Sequence, residues 1–246
     1  MLASTLSQLV LSPPPSVSVS QAHQSSSQNI FFCEILKETL SPVDAGDIAN
    51  FKAYLQSLPF AFDDLKSCIS GTTLRSEADV EYFYHTNLVQ ACWPVALAMV
   101  PKERRFDLCL HCEKTLHNRS HPDMSISILR PSGIVYNFEV FLCLEFKAPG
   151  VCQFVTSADI SESDDWDKVS RRIRKYAVVN GVRHILVQDD TNLIYLHFED
   201  PDDIAATVTY AFAAAGTSGS QYPMSQRELF LYAFAEGLKC KIETLR

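Results

Sequence analysis

The sequence predicts an α/β domain: a mixed central sheet flanked by helices. Three observations predict it. Residues 123–128 alternate between polar and apolar side chains, as a half-buried strand does, and a more apolar strand, 138–147, follows after a turn. Two segments, 76–91 and 166–180, carry apolar residues at helical spacing before and after that pair. Two further short apolar runs, His184–Val187 and Leu193–Phe198, are separated by Asp189-Asp190-Thr191-Asn192, a turn sequence.

Composition bounds the rest. With 246 residues, 47% of them hydrophobic, the chain can bury one sizeable core. Its eight Cys are scattered, no charged segment precedes the mildly apolar Leu2–Leu11 stretch, and no apolar run is long enough to span a bilayer. These features predict an intracellular, reduced protein, in nucleus or cytoplasm, without membrane association. The net charge of −8 argues against a general nucleic-acid coat, since phosphate binding draws on Lys and Arg, but leaves room for a local basic groove.

Residues 1–28, rich in Ser, Pro and Gln, are expected to form a disordered tail. An accessory helical segment is expected over 29–70, with a helix near 47–57 capped by Asp47 and carrying Ile48, Phe51, Tyr54, Leu55 and Leu58 near one face. In the next helix Ser76 is the N-cap, Asp79 completes a variant capping box, and Val80, Phe83, Tyr84, Leu88 and Ala91 follow. Pro94 is expected to bend or break it. Glu77 and Glu81 lie one turn apart on one side; either acid complements the helix dipole or faces a site.

Residues 106–121 admit two readings. Cys109, Cys112, His117 and His121 are zinc-ligand types, although the interval between the pairs is short for a finger. The alternation of 106–112 suits a strand, in which Cys109 is a small hydrophobe.

The stretch from His121 to Pro149 carries the chemistry. Met124, Ile126 and Ile128 share one face of its first strand, and Asp123, Ser125 and Ser127 the other. In the second strand Phe138, Val140, Leu142, Leu144 and Phe146 share a face; Glu139, Phe141, Cys143, Glu145 and Lys147 share the opposite one. A hairpin turning at Pro131-Ser132-Gly133 sets Asp123 across from Glu145, with Lys147 one pleat further. Two such carboxylates repel unless a cation lies between them. Oxygen ligands of this kind suit Mg²⁺ or Mn²⁺, and an adjacent Lys can orient water or steady charge on a phosphate. The bland alternative is a surface ion pair between Glu145 and Lys147.

The helix over 166–180 buries Val169, Ile173, Tyr176 and Ala177 and ends at Gly181. Lys168, Arg171, Arg172 and Lys175 form a basic stripe on another of its faces. That stripe either meets the phosphates of a nucleic-acid strand or is a solvated face. Residues 201–246 are expected to form two C-terminal helices, 201–215 and 225–243, broken at Thr217–Ser220. The chain has no repeat, no phosphate-cradling glycine loop and no Gly-x-Ser-x-Gly elbow.

Pro122-Asp123 followed by Glu145-Phe146-Lys147, between two helices and ahead of a strand pair, resembles the PD-(D/E)XK nuclease superfamily. The resemblance covers about residues 76–198, and looks nearest to the nuclease-like domains found with fungal-type protein kinases and crinkler-type proteins. It implies a restriction-endonuclease-like α-β-β-α-β core over 71–200. It further implies a metal-dependent nuclease acting on DNA or RNA, with Mg²⁺ or Mn²⁺ held by Asp123 and Glu145, assisted by Glu77 (Glu81 as alternate), and Lys147 helping to activate water. One departure concerns the second core helix: many relatives place a Gln or Lys there, whereas this chain offers Lys168 or Arg172. The alternative function is a non-catalytic module of the same fold that binds a protein or nucleic-acid partner.

Overall fold

The fold is given by a computed structural model, which describes residues 18–19, 40–58, 73–112, 121–132, 135–152, 164–201, 207–214 and 224–243. The strands are β1 (Ser18–Val19), β2 (Leu40–Pro42), β3 (Thr73–Leu74), β4 (Leu108–Cys112), β5 (Met124–Ser132), β6 (Val135–Phe146), β7 (His184–Gln188), β8 (Asn192–Phe198) and β9 (Val208–Ala214). The α-helices are α1 (Ala45–Ser57), α2 (Glu77–Tyr84), α3 (Ala91–Met99), α4 (Asp164–Asn180) and α5 (Gln226–Glu243). Of the expected disordered tail only Ser18–Val19 is described, and these residues form strand β1, which pairs in parallel with β3; the rest of the tail, most of the loop 151–165, the break at Thr217–Ser220, and His117 lie outside the described residues.

Seven strands form one mixed sheet in the order β2-β9-β8-β7-β6-β5-β4. The pairs β4–β5, β5–β6, β7–β8 and β8–β9 are antiparallel, and β6–β7 and β2–β9 are parallel. A parallel neighbour needs a crossover rather than a tight turn, and α4 lies on the connection between β6 and β7. In chain order the elements around this crossover run α2, α3, β4, β5, β6, α4 and β7.

The sheet is covered on both faces. On one, Ile126, Ile128, Leu142, Leu144 and Phe146 join α1, α2, α3 and α5 in the larger core. Helix α5 is buried almost all round its middle, from Leu229 to Ala235, as a helix sandwiched between layers must be. Phe234 meets Phe141 on β6 and Trp93 on α3, and Tyr232 meets Phe51 on α1. On the other face Val169, Ile173, Tyr176 and Ala177 of α4 pack against Cys143, Ile185, Val187, Ile194 and Leu196. This is the apolar stripe read from the α4 sequence.

The hairpin turns where the sequence placed the turn, between Ser132 and Val135, with Gly133 outside the described residues. Its register runs from Met124↔Leu144 to Ile126↔Leu142, then slips, so that Ser127 faces Val140 and Phe141 is the extra residue of a bulge. The slip corrects the expected parity. Phe141 belongs to the larger core with Leu142, and Val140 packs against the α4 side. Glu139 thus leaves the face of Glu145 and lies beside Lys241 of α5.

Other expectations are also corrected. Residues 208–214 form β9, not a helix: Val208, Thr209, Tyr210 and Phe212 suit a strand, and its partners are β8 and the short β2. The segment around 40–57 is not merely accessory, because β2 edges the main sheet and Ile48, Phe51 and Leu55 enter the main core. Its helix is capped by Asp44, whose side chain accepts from Gly46 N and Asp47 N, rather than by Asp47. Ser76 and Asp79 do form the capping box of α2. Pro94 does not end the helical run: a π-turn, His85–Gln90, widens it just upstream, and α3 continues through the proline.

Candidate active site

Strand β6 ends in the middle of the molecule, and its end is held from four directions. Phe146 N donates to Asp123 Oδ2 (2.5 Å), so the Asp carboxylate takes the place of a ladder carbonyl. Lys147 N donates to Gln188 O on β7 (2.8 Å). The turn that follows is tied to the β7–β8 turn by two buried acids. Asp189 accepts from Cys152 N (2.6 Å), Thr191 N (2.9 Å) and Asn192 N (2.7 Å), and Asp190 accepts from Gly150 N (2.7 Å). Tyr84, at the end of α2, donates from its phenol to Asp190 O (2.7 Å). Helix α2, which carries Glu77, is thereby fixed to the same turn.

Glu145 is fully buried and surrounded by donors. Lys147 Nζ donates to Glu145 Oε1 (2.6 Å), and Arg172 Nε lies 2.9 Å from the same oxygen. Tyr176 OH lies 2.9 Å from Glu145 Oε2 and 2.9 Å from His121 O. A phenol has one proton, so it serves one of these acceptors at a time, while accepting from Arg172 Nε (2.9 Å). Lys147 Nζ also donates to Phe146 O (2.8 Å) and lies 3.7 Å from Glu77 Oε1. Burial first, and then the Glu145 charge, push the Tyr176 phenol well above its ordinary range.

Asp123, Glu145 and Glu77 thus share the site with Lys147 and Arg172. The acids outnumber the cations, and Asp123 registers the imbalance. Burial first, and then the charge of Glu145, raise its carboxyl to about 7, against the pull of Lys147 and the Phe146 N–H.

The sequence-derived residues Asp123, Glu145, Lys147 and Glu77 are brought together. Glu81, one turn beyond Glu77, is partly buried. The basic stripe divides: Lys168 is exposed, Arg171 and Lys175 are partly exposed, and Arg172 turns its guanidinium onto Glu145. Of Lys168 and Arg172, the two residues the resemblance offered on this helix, it is Arg172 that reaches the site. The part played by Tyr176 and the Asp189–Asp190 clamp were not foreseen. One signal was available for Tyr176: it stands at i+4 from Arg172 and is the polar-tipped member of the buried stripe.

The donor set is of the type that suits a hard divalent cation, since Asp123 and Glu145 offer carboxylate oxygens. As placed, however, both oxygens of Glu145 are engaged by Lys147, Arg172 and Tyr176. Among the described residues no three His, Cys, Asp or Glu side chains gather as a metal-binding group. Of the zinc-type residues, Cys109 and Cys112 lie on β4, whose period of two sends them to opposite faces. His121 lends its carbonyl to Tyr176.

No protein-family model matches this chain, and no curated protein matches its sequence. Among the described residues no helix is long and apolar enough to cross a membrane.

Proposed function

We propose that the chain is a metal-dependent nuclease of restriction-endonuclease-like fold that hydrolyses phosphodiester bonds in DNA or RNA. The observation that carries this reading is the gathering of Asp123, Glu145 and Lys147 at the open end of the β5–β6 hairpin, with Lys147 Nζ between Glu145 and Glu77. The succession of α2, β5, β6, α4 and β7, with α3 and β4 inserted after α2, supports it. Asp123 and Glu145 would hold Mg²⁺ or Mn²⁺, with Glu77 assisting. Such an ion supplies a Lewis acid and lowers the pKa of water. Lys147, held by Glu145 and the Phe146 carbonyl, orients the attacking water and offsets charge developing on the phosphate. Arg172 presents a second cation at the mouth, its side chain 29% exposed.

The test is cleavage of labelled single- and double-stranded DNA and RNA by the purified chain with Mn²⁺, with EDTA and with Lys147→Ala. Metal-dependent cutting that falls by about 10²-fold or more in the variant is expected. Equal cutting by variant and wild type removes Lys147 from the mechanism, and no cutting by folded wild type removes the nuclease reading.

A second reading is a non-catalytic module of the same fold that binds a protein or nucleic-acid partner. It is favoured by the complete engagement of Glu145 by Lys147, Arg172 and Tyr176, together with the net charge of −8.

A further inference from the structure

Arg172 belongs to two groups at once. Through α4 it is one of a stripe with Lys168, Arg171 and Lys175, which face outward to differing degrees. Through its guanidinium it is part of the carboxylate site. Nε lies 2.9 Å from Glu145 Oε1 and donates to Tyr176 OH (2.9 Å), while Nη2 reaches His121 O (3.5 Å). Glu145 is fully buried and Arg172 is not, so the acid is sealed from solvent by a side chain that solvent can reach.

A guanidinium in this position sets its positive charge 2.9 Å from the carboxylate oxygen that a divalent ion would need. It also has a better partner available than one carboxylate oxygen. Its planar fork matches phosphate oxygens bidentately, and the stripe beside it would align a phosphate backbone along α4. Lys147 remains on Glu145 when Arg172 leaves, so the buried charge is not left bare.

We infer that Arg172 is the residue that couples strand binding to metal binding: resting beside Glu145 it holds the metal site closed, and a nucleic-acid backbone on α4 draws it away and opens one side of Glu145 Oε1, the other side staying with Lys147. Tyr176 is the positioning residue of this device, since its phenol touches both Arg172 and Glu145. The inference rests on the nuclease reading and adds to it an order of events, strand before metal.

The test is Mn²⁺ titration of the full chain, followed by electron paramagnetic resonance, for wild type, R172Q and Tyr176→Phe. Each protein is measured alone and with a short phosphorothioate strand, as DNA and as RNA. A charge-assisted contact of this class is worth about 10- to 100-fold in affinity, so R172Q alone is expected to bind Mn²⁺ tighter by about that factor. Tyr176→Phe is expected to show a smaller gain, and one of the strands to tighten Mn²⁺ binding by wild type but not by R172Q. Equal or weaker Mn²⁺ binding by R172Q, with Asp123→Ala abolishing binding, overturns the coupling and leaves the nuclease reading standing. Tighter binding by R172Q with no effect of either strand on wild type overturns the opening by nucleic acid. Absence of Mn²⁺ binding in every folded protein overturns both readings. Should R172Q not fold, Tyr176→Phe decides on the same terms.

Discussion

Glu139 and Glu145 lie on the same strand, and each meets two cations. Glu139 is paired with Arg130 (2.9 Å) and Lys241 (3.6 Å), and its side chain is 26% exposed. Glu145 is paired with Lys147 (2.6 Å) and Arg172 (2.9 Å), and is fully buried. Numbering alone would place them on one face; the bulge at Phe141 puts Glu139 under α5 and Glu145 under α4. Water can replace the partners of the first acid, so its pairs are worth roughly 0–1 kcal/mol. Nothing else is at hand to replace those of the second, and removing one partner of a buried pair typically costs about 3–5 kcal/mol. Similar ionic chemistry is thus incidental at one end of the hairpin and defining at the other.

The contrast can be sharpened most strongly through pH. In the unfolded chain Asp123 titrates as an ordinary carboxylate near about 4, whereas burial and then Glu145 hold it at about 7 in the folded chain. Between these values the folded state keeps a proton that the unfolded state releases. Stability therefore falls as pH rises through this window and levels off above it. Asp123→Asn removes the slope. Urea unfolding at about pH 5 and about pH 8 should show the variant gaining on wild type as pH rises, on the order of 2 kcal/mol. Parallel pH curves would mean that burial and the charge of Glu145 do not raise the Asp123 carboxyl.

An effect of comparable size is expected where α5 meets the bulge. A Cβ at Gly237 would lie 2.8 Å from Phe141 Cδ2 and 2.9 Å from Phe141 O. Gly237→Ala should cost about 1–3 kcal/mol in urea unfolding, because backbone must shift. A neutral result would show that the helix has room to move off Phe141, and that close packing there does not fix the bulge. The smallest effect belongs to Glu139→Gln, at most about 1 kcal/mol with Mn²⁺ affinity unchanged. A loss as large as that from disturbing Glu145 would erase the difference between the two ends.

The legible parts of the fold are those set by local pattern. The open end of the hairpin could be read because the side-chain period is two and because Pro131-Ser132-Gly133 is a clear turn signal in that stretch. The observed register is the expected one from Met124 to Ile126. The bulge could not be read, because β6 is apolar on both faces there and hydropathy does not distinguish one side of Phe141 from the other. Residues 208–214 misled through what precedes them: Asp200-Pro201-Asp202-Asp203 reads as a helix start, but Ala211 and Ala213 are small residues under α5, on a strand whose partners come from β8 and β2. Arg172 was placed on the right helix and in the right stripe. That it turns inward depends on Glu145, a residue from another element, and no local period carries that information.

The Asp189–Asp190 clamp has a consequence for synthesis. The turn following Lys147 is fastened to carboxylates and a carbonyl that leave the ribosome after it, and Glu145 is sealed by Arg172 and Tyr176, which also come later. A nascent chain that has not yet released Asn192 carries Asp123, Glu145 and Lys147 but lacks what holds them in place. Vectorial emergence therefore delays assembly of the site until the second half of the sheet exists, since a domain forms as a unit. Until then the growing polypeptide carries these side chains unassembled.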